Sequence, residues 1–250
     1  KGCRQCGKTF SVLDFAKKNY KHVVYLNFFE NPDYASVFAG SLEIDNIVML
    51  LSALLGKDAV FKAGETVLVL DEIQDCPEAR TALKFFRIDG RYDVIGTGSL
   101  LGVKGYGKSK TKKEEEGQDS VPVGYESVVD MYPLDFEEFL WATGNDMLMD
   151  LIRKMYAEKK PMGQVFHRQA MDAFRLYMIV GGMPQAVKKY VETKDFDAVD
   201  VAKRDVLTIY RNDIFNYASE IAEKVVSIFD QIPPQLSKHE KKFRLSALKP

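Results

Sequence analysis

The first residues of the chain have the types and the spacing that bind phosphate. Residues 1–9 read KGCRQCGKT, so Gly2, Gly7, Lys8 and Thr9 occupy the fixed positions of the pattern GxxxxGK[ST]. Glycine allows backbone N–H groups to wrap around an anion, lysine supplies a positive charge, and the threonine hydroxyl is placed for Mg²⁺. A helix that begins near Thr9 would point its positive end at the same anion. We predict that ATP binds to Gly2, Cys3, Arg4, Gln5, Cys6, Gly7, Lys8, Thr9 and Phe10; the alternative is a chance glycine-lysine turn.

An acidic pair ends an apolar run that reads LVLDE over residues 68–72. Such a run is typical of a strand buried in a parallel sheet, and ligands bind at the carboxyl ends of these strands. We predict that Asp71 holds Mg²⁺, directly or through water, together with Thr9. Glu72 is suited to orient or deprotonate the attacking water, which makes it the predicted catalytic base. The alternative is that the pair only caps the helix that follows.

A third group, Gly96-Thr97-Gly98-Ser99, follows the next predicted strand. A hydroxyl at this place can contact the γ-phosphate or the attacking water. Thr97 and Ser99 both qualify, and we select Ser99 as the third predicted catalytic residue, beside Lys8 and Glu72. An ordinary glycine-rich turn between a strand and a helix is the alternative.

The elements that must hold these groups are strands and helices in alternation. Continuous β-branched and aromatic runs predict strands at 22–28, 66–70 and 92–95, with a further one at 128–131. Apolar residues at helical spacing predict helices at 10–19, 44–55, 79–86 and 136–142. From Met147 onward the pattern is helical only, interrupted at Gly181-Gly182 and ended by Pro233-Pro234. This order predicts an α/β domain followed by an α-helical one.

Two apolar stripes in the second half are predicted to face a core rather than a cofactor. They are Phe166, Ala170, Phe174, Tyr177 and Met178, and then Val199, Ala202, Val206, Ile209, Tyr210 and Tyr217. Between the two halves, residues 102–119 combine glycines, lysines and an acidic run, a composition that predicts a mobile loop. Its lysines could contact nucleic acid, although a solvated charged loop is the preferred interpretation.

Composition places the chain among ordinary globular proteins. Apolar residues make up 46%, charged residues 28%, and the net charge of -1 argues neither for nor against nucleic acid. The longest apolar stretch, near residues 47–55, is too short to span a membrane. Three cysteines give no disulfide framework and suit a reducing cytoplasm.

Two of the cysteines, Cys3 and Cys6, lie inside the predicted phosphate loop. Their CxxC spacing could mark a metal or redox pair, but no second Cys/His pair completes a zinc site. The positive field of Lys8 and of the helix start should favour the thiolate of Cys6, and Cys76 is expected near the same site. We therefore expect thiol reagents to modify Cys6.

The three groups, in this order, resemble the AAA-type ATPases. Other segments are similar to one bacterial and archaeal family that joins such an ATPase to a C-terminal domain of unknown function. These segments are GCRQ at 2–5, ALKFF at 82–86, GSLLG at 98–102, VPVGY at 121–125, MYPLDFEEFL at 131–140 and VGGMP at 180–184. The resemblance covers essentially the whole chain. It departs at Cys6, where relatives often have valine, and in a longer loop after Gly102.

The resemblance implies a P-loop NTPase fold, α/β with a three-layer parallel sheet in the order 5-1-4-3-2. The strand before the loop would be central, and because the chain opens on the loop we expect an internal fragment that lacks it. A winged helix and a nuclease-like fold are implied downstream, with residues 228–248 entering the winged helix. The predicted divisions are an ATP-binding domain at 1–145, a helical lid or linker at 146–222 and the start of the winged helix at 223–250.

Together these features predict an Mg²⁺-dependent, ATP-hydrolysing AAA-type module that drives a conformational change in a C-terminal domain. The alternative is a nucleotide-gated switch that binds DNA or protein through its C-terminal region with little turnover. We expect a cytoplasmic protein that makes no membrane contact and could form a homo-oligomer. An arginine finger is left open among Arg87, Arg91, Arg204, Arg211 and a neighbouring subunit.

Overall fold

The computed structural model describes residues 1–99, 125–217 and 221–239, so the predicted loop at 102–119 and the chain after residue 239 lie outside the described residues. The strands are β1 (His22–Asn27), β2 (Thr66–Asp71) and β3 (Asp93–Gly96). The helices are α1 (Lys8–Asn19), α2 (Ile44–Leu55), α3 (Pro77–Asp89), α4 (Phe136–Ala142), α5 (Asp146–Glu158), α6 (Gln164–Val180), α7 (Pro184–Thr193), α8 (Phe196–Tyr217) and α9 (Ala222–Leu236).

The three strands form one parallel sheet in the order β1-β2-β3. β2 pairs with both neighbours, with Asn27 opposite Asp71 on one side and Leu70 opposite Gly96 on the other. Every residue of β2 is buried, which confirms the prediction of a strand covered on both faces. The carboxyl ends of all three strands therefore meet at one edge of the sheet.

Helices cover both faces of this sheet, which gives the predicted three layers. Val67 and Val69 of β2 pack with Ala16 of α1 on one face. Leu68 and Leu70 point to the other face, where the core also contains Ile44, Ile47 and Leu51 of α2 and Ala79, Ala82 and Phe86 of α3. Alternation along a strand sends successive side chains to opposite faces, so one apolar strand supports both layers.

The start of the chain lies beside the sheet. Gly2 forms a parallel bridge to Ser99 on one side and another to Met131 on the other. The main-chain nitrogen of Lys1 donates to the Val129 carbonyl at 2.7 Å, and the Met131 N–H donates to the Lys1 carbonyl at 2.7 Å. If the strand before the loop is counted as the first, then β1, β2 and β3 are the second, third and fourth strands of the order 5-1-4-3-2. Gly2 lies between the chain that continues from β3 and the Met131 segment, which is the place of the first strand in that order.

A second core joins the helices of the other half. Phe139 of α4, Val180 at the end of α6, Ala186 and Val187 of α7, and Val199 of α8 are buried together. The Leu134 N–H donates to the Gly182 carbonyl at 2.7 Å, and the Tyr177 hydroxyl donates to the Leu134 carbonyl at 2.9 Å. The predicted break at Gly181-Gly182 and the helix start at Pro184 are confirmed. The predicted domain boundary at residue 145 stays a prediction. Helix α4 lies before that boundary, yet its Phe139 packs in the core of the helices that follow it.

Several predictions about these elements are wrong in detail. The prolines do not end the last helix, since α9 continues through Pro233 and Pro234 to Leu236. Proline removes an N–H donor and crowds the preceding turn, but its carbonyl can still accept, and the Pro233 carbonyl accepts from the Ser237 N–H at 3.1 Å. The predicted strand at 128–131 is reduced to the single bridge at Met131.

The apolar stripe of α6 also differs from its prediction, because much of it is exposed. Phe166, Phe174 and Met178 are 48%, 40% and 69% exposed, and Val180 is the residue of α6 that is fully buried. The helical period is correct, but α4 and α7 cover only the C-terminal end of the helix. The stripe of α8 does pack inward, at Val199, Ala202 and Val206.

Across the described residues, none of the helices combines the length and the apolar character needed to cross a membrane.

Candidate functional site

The phosphate loop of residues 2–8 leads directly into α1. Gly7 precedes the helix with φ of 92° and ψ of 14°, a left-handed conformation that favours glycine. The helix has no side-chain cap and no acidic residue in its first turn, so its N-terminal N–H groups are left to an external acceptor. At the other end of the loop, a Cβ on Gly2 would lie 2.2 Å from the Met131 carbonyl oxygen, which excludes any larger residue there.

Lys8 is folded into the loop that it follows. Its Nζ donates to the carbonyls of Gly2 at 3.1 Å and Cys3 at 2.8 Å, and the residue is only 9% exposed. An ammonium group has three N–H donors, so one remains for a phosphate oxygen. The carbonyls of the loop thereby fix the position of the charge.

The Asp71 carboxylate is the centre of the site. It lies at the end of β2, is 2% exposed, and accepts hydrogen bonds at both oxygens. Oδ2 accepts from Thr9 Oγ1 at 2.8 Å and from the Tyr25 hydroxyl at 2.9 Å. Oδ1 accepts from the Thr97 hydroxyl and, at 3.1 Å, from the Glu72 N–H. The two predicted metal-binding residues, Thr9 and Asp71, are therefore in direct contact.

Glu72 lies next to this centre in an unusual backbone conformation. Its φ of 51° and ψ of 45° are left-handed, which is uncommon for a residue other than glycine and costs conformational energy. The Gln74 amide donates to Glu72 Oε2, while Gln74 Oε1 is buried without a hydrogen-bond partner. The carboxylate of the predicted base is thus held by a neighbour two positions along the chain.

The two hydroxyl residues of the predicted third group, Thr97 and Ser99, make different contacts. Thr97 is 4% exposed and bonds to Asp71, so it belongs to the centre of the site. Ser99, which the sequence favoured, is 6% exposed and its backbone bridges to Gly2. Its predicted catalytic role stays a prediction, whereas Thr97 contacts the carboxylate directly.

Two residues of β1, Tyr25 and Asn27, belong to the site but were not predicted from the sequence, although the pairing of β1 with β2 brings them to Asp71. Tyr25 lies on β1, and its hydroxyl donates to Asp71 while accepting from the Asn27 amide at 3.2 Å. Burial raises the pKa of Tyr25 to about 12, an effect that Asp71 increases and Asn27 opposes. The hydroxyl therefore stays protonated and remains a donor. The signal was available, because polar residues at the end of a neighbouring parallel strand meet at the same edge of the sheet.

A helix of the C-terminal half also reaches the loop. The Arg4 guanidinium donates to Asp213 Oδ1 on α8, and the Tyr210 hydroxyl donates to the Arg4 carbonyl at 3.0 Å. The Arg4 guanidinium carbon lies 5.9 Å from the centre of the Phe29 ring. Arg4 was predicted from the sequence to bind ATP, but its partners could not be predicted because 209 positions separate Arg4 from Asp213.

The remaining predicted binding residues line the same loop with different exposure. Cys3 is partly buried, Gln5 is exposed and has a positive φ of 65°, and Phe10 is 78% exposed on the first turn of α1. Overall, five of the seven buried polar or charged residues in the described parts of the chain belong to this region: Lys8, Asp71, Thr97, Ser99 and Asp213. Burying so many polar groups is costly, and such a concentration is typical of functional sites.

The expectation that its surroundings favour the thiolate of Cys6 is wrong, and the reaction of Cys6 with thiol reagents stays a prediction. Cys6 and Cys76 are both 1% exposed, and all three cysteines are free. Burial raises the pKa of the Cys6 thiol, although Lys8 opposes the rise, and burial raises the pKa of Cys76 to about 11. Desolvation of the thiolate outweighs the favourable field of the lysine.

The site suits a magnesium ion better than a metal held wholly by protein. In the described ranges, no group of three or more His, Cys, Asp or Glu side chains could hold a metal ion. Mg²⁺ is usually held by one or two protein oxygens together with phosphates and water, and the donor set of Thr9 and Asp71 has this chemistry. The hydrogen-bonded contact at 2.8 Å between those two oxygens fits such an ion.

Comparisons with known proteins give a family match in each half of the chain. The family described as AAA domain matches residues 1–140, and a family described as Domain of unknown function (DUF8612) matches residues 171–250. No curated protein and no solved structure gave a significant match. The predicted AAA type, followed by a C-terminal domain of unknown function, is confirmed, while the winged helix and the nuclease-like fold stay predictions. Since the first match spans more than half of the chain, the protein belongs to the AAA domain family.

Proposed function

We propose that this protein binds and hydrolyses ATP with Mg²⁺ at the site formed by the phosphate loop and Asp71. The observation that carries the proposal is the contact between Thr9 Oγ1 and Asp71 Oδ2 at 2.8 Å. It brings the first helical turn, which attracts anions, together with a buried carboxylate, which attracts a cation. Family membership supports a nucleotide-binding module of the ATPase type.

Each side chain receives a role from its surroundings. Lys8 and the free N–H groups at the start of α1 bind phosphate oxygens, and Glu72 orients or deprotonates the attacking water. Thr97 and Tyr25 hold the Asp71 carboxylate in place through their hydroxyls. The Ser99 hydroxyl has the proposed role of contacting the reacting phosphate or the attacking water. The backbone of Ser99 bridges to Gly2 and so holds the start of the loop.

Thr9 and Asp71 would hold the magnesium ion, and the bonds to Asp71 suggest how. A carboxylate has about four lone-pair sites, and four donors already occupy them: Thr9, Tyr25, Thr97 and the Glu72 N–H. With these four bonds in place, Asp71 would act on the ion through Thr9, whose proton it accepts while the Thr9 oxygen keeps its lone pairs for the ion. One of the four donors would have to release Asp71 before the carboxylate could contact the ion, directly or through water. When bound, Mg²⁺ supplies positive charge to the phosphate oxygens.

The central experiment measures Mg-ATP affinity and phosphate release for the parent chain and for Lys8→Ala. We expect the parent to bind and turn over ATP, and the variant to bind at least about tenfold more weakly, because it loses a charge-assisted hydrogen bond. Lys18→Ala, which removes an exposed lysine from the same helix, is the matched control. Equal affinity of the parent and Lys8→Ala would contradict the assignment of the loop.

A second candidate function is a nucleotide-gated switch with little turnover that binds DNA or protein. The bond from the Gln74 amide to Glu72 favours it, because one oxygen of the proposed base is already engaged and has to be released before it can accept a proton from water. Phosphate release by Gln74→Ala, measured with and without DNA, separates the two candidates. A large gain in turnover over a nearly inactive parent would favour the switch, and an unchanged or lower rate would favour the hydrolase.

A further inference from the structure

Helix α8 holds Arg4, a residue of the phosphate loop, through both its side chain and its backbone. Asp213 accepts from the Arg4 guanidinium, and three residues earlier Tyr210 donates to the Arg4 carbonyl at 3.0 Å. Residues three positions apart lie on the same face of a helix, so both contacts come from one side of α8. Arg4 thus connects the loop to α8 through two contacts.

The position of this contact matters because Arg4 directly follows Cys3. The Cys3 carbonyl accepts from Lys8 Nζ at 2.8 Å and helps to fix the ammonium group. A movement of α8 that pulls on Arg4 would shift the adjoining Cys3 carbonyl, and with it the charge proposed to bind phosphate. A continuous chain of bonds therefore runs from Asp213 through Arg4 and Cys3 to Lys8.

The ion pair is not an obvious source of stability. The Asp213 side chain is 3% exposed and that of Arg4 23%, and the desolvation of buried charges offsets much of their attraction. Burial raises the pKa of the Asp213 carboxyl even though Arg4 opposes the rise, and the Glu72 carboxylate adds to it. A positioning role therefore accounts for the Arg4–Asp213 pair better than a stabilising one.

We propose that Arg4 and Asp213 are positioning residues that couple nucleotide binding in the phosphate loop to the docking of helix α8. The inference rests on the proposed function, since it requires the loop to bind ATP. Coupling between two sites is reciprocal: nucleotide stabilises the docked helix, and the docked helix raises the affinity for nucleotide. The C-terminal helices thereby respond to the occupancy of the loop.

Hydrogen exchange of the α8 amides, with and without Mg-ATP, tests the coupling in the 250-residue chain. We expect Mg-ATP to slow exchange over residues 206–215 in the parent, and Asp213→Asn to remove most of that protection. The same variant should bind Mg-ATP at least about fivefold more weakly, the lower end of usual coupling between sites. Tyr210→Phe, which removes one hydroxyl and keeps the ring, should give a smaller loss in the same direction.

The matched control is Asp200→Asn, which removes a half-exposed carboxylate from the same helix, where it pairs with Arg204. It should leave both the affinity and the nucleotide-dependent protection as in the parent. Protection that persists in Asp213→Asn and Tyr210→Phe would overturn the coupling while leaving ATP binding intact. A parent chain that binds no Mg-ATP would instead remove the proposed function, and the coupling with it.

Discussion

Thr9 Oγ1 donates a hydrogen bond of 2.8 Å to Asp71 Oδ2, although the two residues belong to different elements. Thr9 lies in the first turn of α1, and Asp71 ends β2. The contact is possible because α1 packs on the face of the sheet formed by Val67 and Val69. Packing of apolar side chains thus sets the distance between the two polar groups of the site.

Replacing Thr9 with valine tests this relationship, because valine keeps the shape of threonine and loses its hydroxyl. We expect the affinity for ATP in the presence of Mg²⁺ to fall by about tenfold or more, since one oxygen ligand and one charge-assisted bond are lost. Affinity in EDTA should change much less. Thr81→Val, on the exposed face of α3, is the control, and an equal loss with and without Mg²⁺ would contradict the metal role of Thr9.

Glu72→Gln separates the binding of ATP from its hydrolysis. Glutamine keeps the size of the side chain but cannot take a proton, so phosphate release should fall by roughly two orders of magnitude or more. The dissociation constant for Mg-ATP should stay within a few-fold of the parent value. Glu78→Gln, at an exposed position in the first turn of α3, controls for the loss of a nearby carboxylate. Hydrolysis by Glu72→Gln at the parental rate would exclude Glu72 as the base.

The local parts of this site could be predicted from the sequence. The apolar run before Asp71 indicates a buried strand, and Gly7-Lys8-Thr9 indicates a turn into a helix. Both signals lie within a few neighbouring residues. The choice between Thr97 and Ser99 could not be made in this way, because it depends on which side of the chain after β3 faces Asp71.

Contacts between distant parts of the chain could not be predicted for a similar reason. Nothing in the local pattern pairs Arg4 with Asp213, because their contact depends on how the helical half docks on the loop. The stripe of α6 shows the reverse case. Its helical period is correct, yet Phe174 and Met178 are exposed because a period identifies a face and not the element that covers it.

Leu68→Ala tests the central role of β2 in the fold. Leu68 is fully buried in the core formed with α2 and α3. Removing most of its side chain should lower the free energy of unfolding by about 2–5 kcal/mol, through lost burial and the cavity that remains. Urea denaturation measures the change. Leu54→Ala is the matched control because Leu54 is 50% exposed, and a similar loss at both positions would contradict the packing described for β2.

The cysteines should differ in their reactivity toward a small alkylating reagent. Cys3 is partly buried, whereas Cys6 and Cys76 are 1% exposed and have raised pKa values. We expect iodoacetamide to label Cys3 first at neutral pH, and the other two only after unfolding. Mass spectrometry of peptides gives the order, and Cys3→Ser is the control that should leave the native chain almost unlabelled. Rapid native labelling of Cys6 would contradict its burial.

Asp213 should make the stability of the parent chain depend on pH in the acidic range. Burial, increased by Glu72 and opposed by Arg4, raises the pKa of its carboxyl in the folded chain. The folded state therefore binds this proton more tightly than the unfolded state does, and the stability that Asp213 contributes is fully present below the unfolded pKa of about 4. That contribution is lost as the pH rises through the higher folded pKa. Urea unfolding from pH 4 to 7.5 should show the free energy of the parent falling relative to that of Asp213→Asn, with half-exposed Asp230→Asn as the control for losing one carboxylate. A difference between parent and Asp213→Asn that is flat, or that rises with pH, would show that Arg4 outweighs the desolvation of the buried carboxylate.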